Sequence, residues 1–184
     1  MKKIAVIFLF VVFSCGLYSQ VTIYGKYADK EIIPCATIFG TTKITEKVGF
    51  TYFALVAEKW AETQIGISYS PVKWASFGLS GGLEQNPALY RLGASLWLGK
   101  GKTSFLILGE KGDGKENYWY KATLSYQASD NFICGARIWR FQGIGPFAST
   151  SIRVKKLDSN LWIMPAYDLE SKTTKLMVGI DIKI

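Results

Sequence analysis

Histidine is absent from all 184 residues of the sequence. It is the usual general base of Ser-His hydrolases and the commonest metal ligand of proteins. We therefore expect no catalytic residue, no metal site and no cofactor. The glycine-rich pieces Gly78–Gly82 and Gly99–Gly101 lie in a predicted strand and a hairpin turn with no helix after them, so neither is predicted to be a phosphate-binding loop.

Cysteine is scarce, with three residues in the sequence, of which Cys35 and Cys134 lie beyond the first twenty positions. A disulfide between them would suit an oxidising compartment. Cys134, however, shares an apolar face with Phe132 and Ala136, which favours a buried free thiol. The pattern leaves both readings open.

Long apolar runs are missing beyond residue 20. The run that does exist, Ile4–Phe13, follows Lys2 and Lys3 and precedes small and polar residues, which is typical of a secretory signal peptide. We predict a leader over residues 1–19 and a single β-barrel domain over residues 20–184.

The leader has a second interpretation. Val12-Phe13-Ser14-Cys15 resembles the lipoprotein box of bacteria, and Cys15 would then be a lipidated first residue. The bulky Phe13 fits that box poorly.

Acidic residues are outnumbered, with 14 Asp and Glu against 22 Lys and Arg. The excess is too large to disappear with the two lysines of the leader. A basic chain attracts nucleic acid or an anionic surface, but an exported chain rarely meets nucleic acid. We expect outer-membrane lipid as the partner and no nucleic acid, and the pattern leaves an envelope protein partner open.

Strand periodicity is plentiful, and it is clearest over Asn117–Arg140. Residues on one face of its first half are apolar or aromatic: Tyr118, Tyr120, Ala122, Leu124 and Tyr126. The intervening residues are mostly polar, and Ala128–Asn131 has turn-forming composition. The stretch predicts a hairpin with one face towards lipid and the other towards a lumen.

The same alternation recurs through ten predicted strands from Val48 onward, with two less regular ones at Val21–Tyr27 and Ile33–Thr42. Pro165 falls within a predicted strand, where a bulge would accommodate it. Ten or twelve strands of about nine to eleven residues match a closed, antiparallel, up-and-down transmembrane β-barrel.

Counting turns back from the C-terminus places them alternately at the two ends of the barrel. Outward-facing aromatic residues then fall near both membrane interfaces, as in aromatic girdles. They are Tyr69, Tyr90, Tyr118, Tyr126, Phe132 and Tyr167.

The inward face collects charged residues with a basic bias. They are Glu84, Arg91, Lys121, Arg137, Arg153, Asp168, Lys175 and Asp181. These residues either pair and fill a narrow barrel or line a passage that favours anions. Small inward residues from Gly66 to Ser95 leave space along one wall or receive bulky neighbours.

The leader, the turns Ser68–Trp74 and Ser125–Phe132, and the alternating C-terminal strand resemble small bacterial outer-membrane β-barrel proteins. The resemblance is one of general design and implies no catalytic residue. The chain departs from many such barrels by ending in Ile184 rather than an aromatic residue.

Three functions remain as hypotheses. The leading one is a non-enzymatic barrel in the outer membrane of a diderm bacterium, acting as a structural envelope component or a narrow small-solute pore. A soluble or lipid-anchored lipocalin-like barrel that binds an apolar ligand is the first alternative. A membrane subunit of a secretion or surface-attachment assembly is the second.

Overall fold

The computed structural model describes residues 18–28, 31–58, 60–85, 89–154 and 157–184. These residues form twelve strands: β1 (Tyr18–Ala28), β2 (Glu31–Lys43), β3 (Val48–Ala57), β4 (Trp60–Val72), β5 (Ala75–Glu84), β6 (Leu89–Lys100), β7 (Thr103–Gly112), β8 (Tyr118–Ser129), β9 (Phe132–Trp139), β10 (Gly143–Val154), β11 (Leu157–Asp168) and β12 (Thr173–Lys183). The two irregular strands expected at the start are both present. Of the predicted leader, only Tyr18 and Ser19 are described, and Cys15 lies outside the described residues.

Each strand pairs antiparallel with its neighbours in sequence, and β1 pairs with β12 to close the barrel. Ser19 and Ile184 exchange backbone hydrogen bonds beside this closure. The predicted fold class is confirmed, with twelve strands rather than ten. The described part of the chain contains no helix long and apolar enough to cross a membrane.

The barrel has two distinct ends. Both chain termini of the described region lie at one of them, together with the short turns after β2, β4, β6 and β8, and we call it the terminal end. The connections after β7, β9 and β11 lie at the other, which we call the loop end. The turns sort between the two ends as their sequence positions predicted.

The outer face is apolar along the whole barrel. Large side chains such as Ile65, Leu79 and Leu92 are more than half exposed there, while their sequence neighbours Gln64 and Arg91 are buried on the inner face. A continuous apolar exterior is unstable in water but suits lipid. The exterior therefore favours the membrane barrel over the lipocalin-like cup.

Two prolines face each other across the β10–β11 ladder. The pairing Ile144↔Tyr167 and the pairing Ala148↔Ile163 share one register, and the three pairs between them, centred on Pro146 and Pro165, are missing. Each proline lacks the N–H that a rung needs. The bulge expected at Pro165 is therefore wrong, because the ladder is interrupted without a shift.

Glycine allows neighbouring strands to approach closely at several places in the barrel. A Cβ at Gly82 on β5 would overlap the backbone of Thr63 on β4, and a Cβ at Gly135 on β9 would overlap the backbone of Leu124 on β8. Strands approach this closely only where a side chain is missing.

The two cysteines are both free and lie on opposite faces. Cys35 is buried on the inner face of β2, opposite Tyr24. Cys134 pairs with Tyr126 and lies on the outer face of β9. The disulfide alternative is therefore wrong, because the barrel wall separates the two thiols.

Candidate functional site

The lumen is divided into an aromatic half and an open half. The aromatic half carries a buried cluster contributed by β1, β2 and β9–β12: Tyr24, Cys35, Trp139, Phe147, Trp162, Met164, Ala166 and Met177. The Tyr24 ring on β1 lies 5.5 Å from the Trp139 ring on β9 and 5.8 Å from the Trp162 ring on β11. Because β1 and β9 are four strands apart in the barrel, this contact crosses the lumen and narrows it.

Two cations lie against this aromatic cluster. Lys121 Nζ is 4.4 Å from the centroid of the Trp139 ring. The Arg137 guanidinium lies 4.5 Å from the Phe147 ring and 5.5 Å from the Trp162 ring, and its Nε donates to Thr123 Oγ1 at 3.1 Å. Cation–π contacts hold both side chains against the rings of the cluster.

Asp181 is the acidic group on the neighbouring wall. Its Oδ1 accepts hydrogen bonds from Thr22 Oγ1 at 2.7 Å and from Trp162 Nε1 at 3.2 Å. This carboxylate is committed to neutral donors and forms no salt bridge among those that the described residues make. Asp181 and Arg137 thus both lie against Trp162.

The open half is the wall formed by β4–β7. Many of its inward residues, on β4, β5 and β6, are small and partly accessible: Gly66, Ser68, Ser76, Gly78, Ser80, Gly82, Gly93 and Ser95. Gln64 lies along this wall, where its Oε1 accepts a 2.6 Å hydrogen bond from Ser80. Inward-facing Trp97 is 37% exposed, so the space beside the wall is accessible to solvent at the terminal end.

Three carboxylates surround one guanidinium towards the loop end of the same wall. Arg91 Nη1 donates to Glu84 at 2.7 Å, and its Nε lies 2.7 Å from Glu110 and 3.0 Å from Glu62. Asn117 bonds both Arg91 and Glu84. We call Arg91, Glu62, Glu84, Glu110 and Asn117 the Arg91 cluster; it joins β4, β5, β6 and β7.

Glu62 and Glu110 were missed in the sequence, where they were assigned to turns. The strands run further than predicted, and both residues continue the inward alternation, Glu62 with Gln64 and Glu110 with Leu108. That alternation was the available signal. With both included, the described lumen charges are mixed, and those around Arg91 are mostly acidic.

Charged residues also join the strands at the rim of the loop end. Arg140 stacks on Tyr118 at 3.4 Å from the ring centroid, donates to the Glu116 carbonyl at 3.0 Å and approaches Glu170 at 3.4 Å. Asp168 and Lys175 form a buried ion pair. Lys175 also donates to the Phe141 carbonyl at 2.8 Å. These contacts tie together the connections after β7, β9 and β11.

The eight charged residues predicted for the lumen fall into four places. Glu84 and Arg91 share the Arg91 cluster, Asp168 and Lys175 pair at the loop-end rim, and Lys121, Arg137 and Asp181 lie at mid-height. Arg153 lies apart from all of them, because its side chain is 75% exposed and pairs with Asp158 at 3.1 Å beside the terminal end.

The six outward aromatics predicted for the membrane interfaces are all exposed. Tyr69, Tyr126 and Phe132 lie towards the terminal end of their strands, and Tyr90, Tyr118 and Tyr167 lie towards the loop end. Tyr118 and Tyr120 also stack with their ring centroids 6.5 Å apart. The rings occupy two separate levels of the outer face.

The fold is a closed antiparallel β-barrel of twelve strands. The structure is similar to that of KdgM porin, with a TM-score of 0.60, 13% sequence identity and coverage of 90% of this chain and 99% of the porin. The same values hold for KdgM porin in complex with disordered oligogalacturonate. A chain solved in work on the in-meso crystallization of membrane proteins matches with a TM-score of 0.55, 7% identity and coverage of 91% and 83%. Neither a family model nor a curated protein matches the sequence. The resemblance inferred from the sequence is thus confirmed at the level of the fold.

Proposed function

We propose that the chain is a non-enzymatic outer-membrane barrel of a diderm bacterium, which forms a narrow pore for small solutes. The observation that carries the proposal is the division of the lumen. Small, partly accessible residues on β4–β7 face an aromatic half that cannot be a passage because it is packed. Solutes would pass along the β4–β7 wall, with the apolar exterior in lipid.

The middle of this pore favours anions. Lys121 and Arg137 are the cations of this part of the lumen, and the nearby Asp181 accepts hydrogen bonds from Thr22 and Trp162. The carboxylates of the Arg91 cluster face the lumen less, since their side chains are only 0–13% exposed. Acidic oligosaccharides are one class of solute to test, because a barrel of the same fold was solved with oligogalacturonate.

Replacing Arg137 by glutamate is expected to lower or invert the anion preference of the pore. The change puts a carboxylate where a guanidinium lies against Phe147 and Trp162, so the field at mid-height changes sign. Reversal potentials in planar bilayers under a potassium chloride gradient measure this preference. Because glutamate disturbs the aromatic packing, Arg137→Gln serves as the milder variant and should reduce the preference without inverting it.

Arg153→Glu is the matched control, since it makes the same charge change at an exposed position beside the terminal end. The reversal potential of this control should stay close to that of the unchanged protein. Equal shifts of the reversal potential in Arg137→Glu and Arg153→Glu would show that the position of Arg137 does not set the anion preference. Folded protein that gives no conductance at all would overturn the pore.

A structural envelope component is the second candidate. The contact of Tyr24 with Trp139 across the lumen favours it, because side chains that meet inside a small barrel fill its interior. Folded, heat-modifiable protein without conductance would support this candidate. Conductance that rises in Trp139→Ala would instead show that the aromatic cluster limits an open pore.

A further inference from the structure

A cavity of about 630 Å³ lies at the terminal end, where the β4–β5 turn meets the β6–β7 hairpin. Its lining residues are Trp74, Leu98, Gly99, Lys100, Thr103, Ser104 and Phe105. Leu98 and Phe105 pair directly across the hairpin on its outer face. On the inner face, the Trp97 ring occupies the space in front of Gly99. The cavity therefore opens on the outside of the barrel.

The cavity is amphipathic along the barrel axis. Leu98 and Phe105 form an apolar floor on the side nearer the middle of the barrel. Lys100 and Thr103 form a polar mouth; they pair with each other two residues closer to the terminal end than Leu98 and Phe105 do. Trp74, at 58% exposure, stands beside the mouth. An amphiphile with its chain towards the middle of a bilayer and its headgroup at the surface has the same polarity profile.

Positive charge predominates at the terminal end, where this mouth lies. The exposed cations at the terminal end are Lys43, Lys47, Lys73, Lys100, Lys102, Arg153 and Lys183. The acidic residues described at this end are Glu46, Asp130 and Asp158, and Asp158 already pairs with Arg153. The loop end shows no such excess, because among its described residues Asp and Glu outnumber Lys and Arg.

We propose that this cavity binds an anionic phospholipid, with one acyl chain along Leu98 and Phe105 and the phosphate at Lys100 and Thr103. The surrounding lysines add the long-range attraction that basic residues exert on an anionic leaflet. The proposal rests on the membrane location proposed above and is independent of whether the lumen conducts. It assigns the barrel a leaflet preference, with the terminal end in the leaflet that supplies anionic phospholipid.

Quenching of tryptophan fluorescence by brominated lipids tests the proposal. The full chain is reconstituted in phosphatidylcholine vesicles that contain either brominated phosphatidylglycerol or brominated phosphatidylcholine at the same mole fraction. Brominated phosphatidylglycerol should quench more strongly, and Trp74→Phe should remove that excess. Equal quenching by the two lipids, or an excess that persists in Trp74→Phe, would overturn the proposal.

Charge variants give a second measurement with a matched control. Replacing Lys73, Lys100 and Lys102 by glutamine should raise the phosphatidylglycerol fraction needed for half-maximal quenching. The expected rise is about fivefold for each of these lysines that contacts the lipid phosphate. The control neutralises Lys111, Lys115 and Lys172 at the loop end and should leave that fraction unchanged. Equal shifts in the two triple variants would show general charge attraction and reject the site.

Conductance is recorded in parallel in neutral phosphatidylcholine bilayers. A loss of the lipid preference with normal conductance rejects only the lipid site. A preserved lipid preference without conductance rejects only the pore.

Discussion

Replacing Arg91 by leucine is expected to destabilise the folded barrel by about 3–5 kcal/mol, which is the range for breaking a buried ion pair from one side. The substitution removes the guanidinium and leaves Glu62, Glu84 and Glu110 facing one another. Their side chains are 5%, 0% and 13% exposed, so water can do little to solvate the charge left behind. Asn117, which bonds both Arg91 and Glu84, would lose one of its partners as well.

Equilibrium unfolding in urea from phospholipid vesicles, followed by heat-modifiable gel migration, measures this loss. The control is Arg153→Leu, at an exposed pair whose contribution should be within about 1 kcal/mol. Adding Glu84→Gln to Arg91→Leu should recover part of the loss, because one buried charge is then removed. A loss no larger than that of the control would mean that the cluster is solvated and does not join the four strands.

The second large effect is expected at Gly82, where β5 lies close against β4. A Cβ at Gly82 would overlap the backbone of Thr63 and come within 2.7 Å of the Gln64 Cα, so a valine there must push the strands apart. Backbone atoms cannot move aside as a flexible side chain can. We expect Gly82→Val to cost about 3 kcal/mol or more, at the upper end for overpacking, and to lower the yield of folded barrel.

Gly109→Val is the matched control, because no atom lies within 4 Å of the position that a Cβ would take at Gly109. Valine also has a higher strand propensity than glycine. The control should fold as well as the unchanged chain or better. Equal folding yields for the two valine variants would show that the barrel does not need the close approach of β4 and β5 at Gly82.

Period-two alternation allowed the barrel to be predicted, since it distinguishes an inner from an outer face without knowledge of any contact. It also placed Lys121, Arg137 and Asp181 on the inner face, where the structure has them. The ends of strands were less predictable. Glu62 and Glu110 were assigned to turns because charged residues near a reversal look like solvated loops, and only the neighbouring strands reveal that they share Arg91.

The division of the lumen could not be predicted either. Tyr24 and Trp139 are more than a hundred positions apart in the sequence, and their contact depends on how far the walls approach. The sequence shows that Gly82 and Gly135 are small, but it does not show that each lies against the backbone of the neighbouring strand.

The opposed prolines on β10 and β11 confine the loss of backbone hydrogen bonds to one place in the barrel. A proline alone in a barrel would leave a neighbour's carbonyl without its donor, and two prolines on separate rungs would weaken two places. Here both missing donors fall on one rung, while Pro146 remains paired with Ala136 on β9 and Pro165 with Leu176 on β12. The interrupted length is three residues, or about 10 Å. Along this length, the two strands are held by packing and by the intact rungs on either side. The loss of hydrogen bonds is therefore local, and the closure of the barrel between β1 and β12 is unaffected.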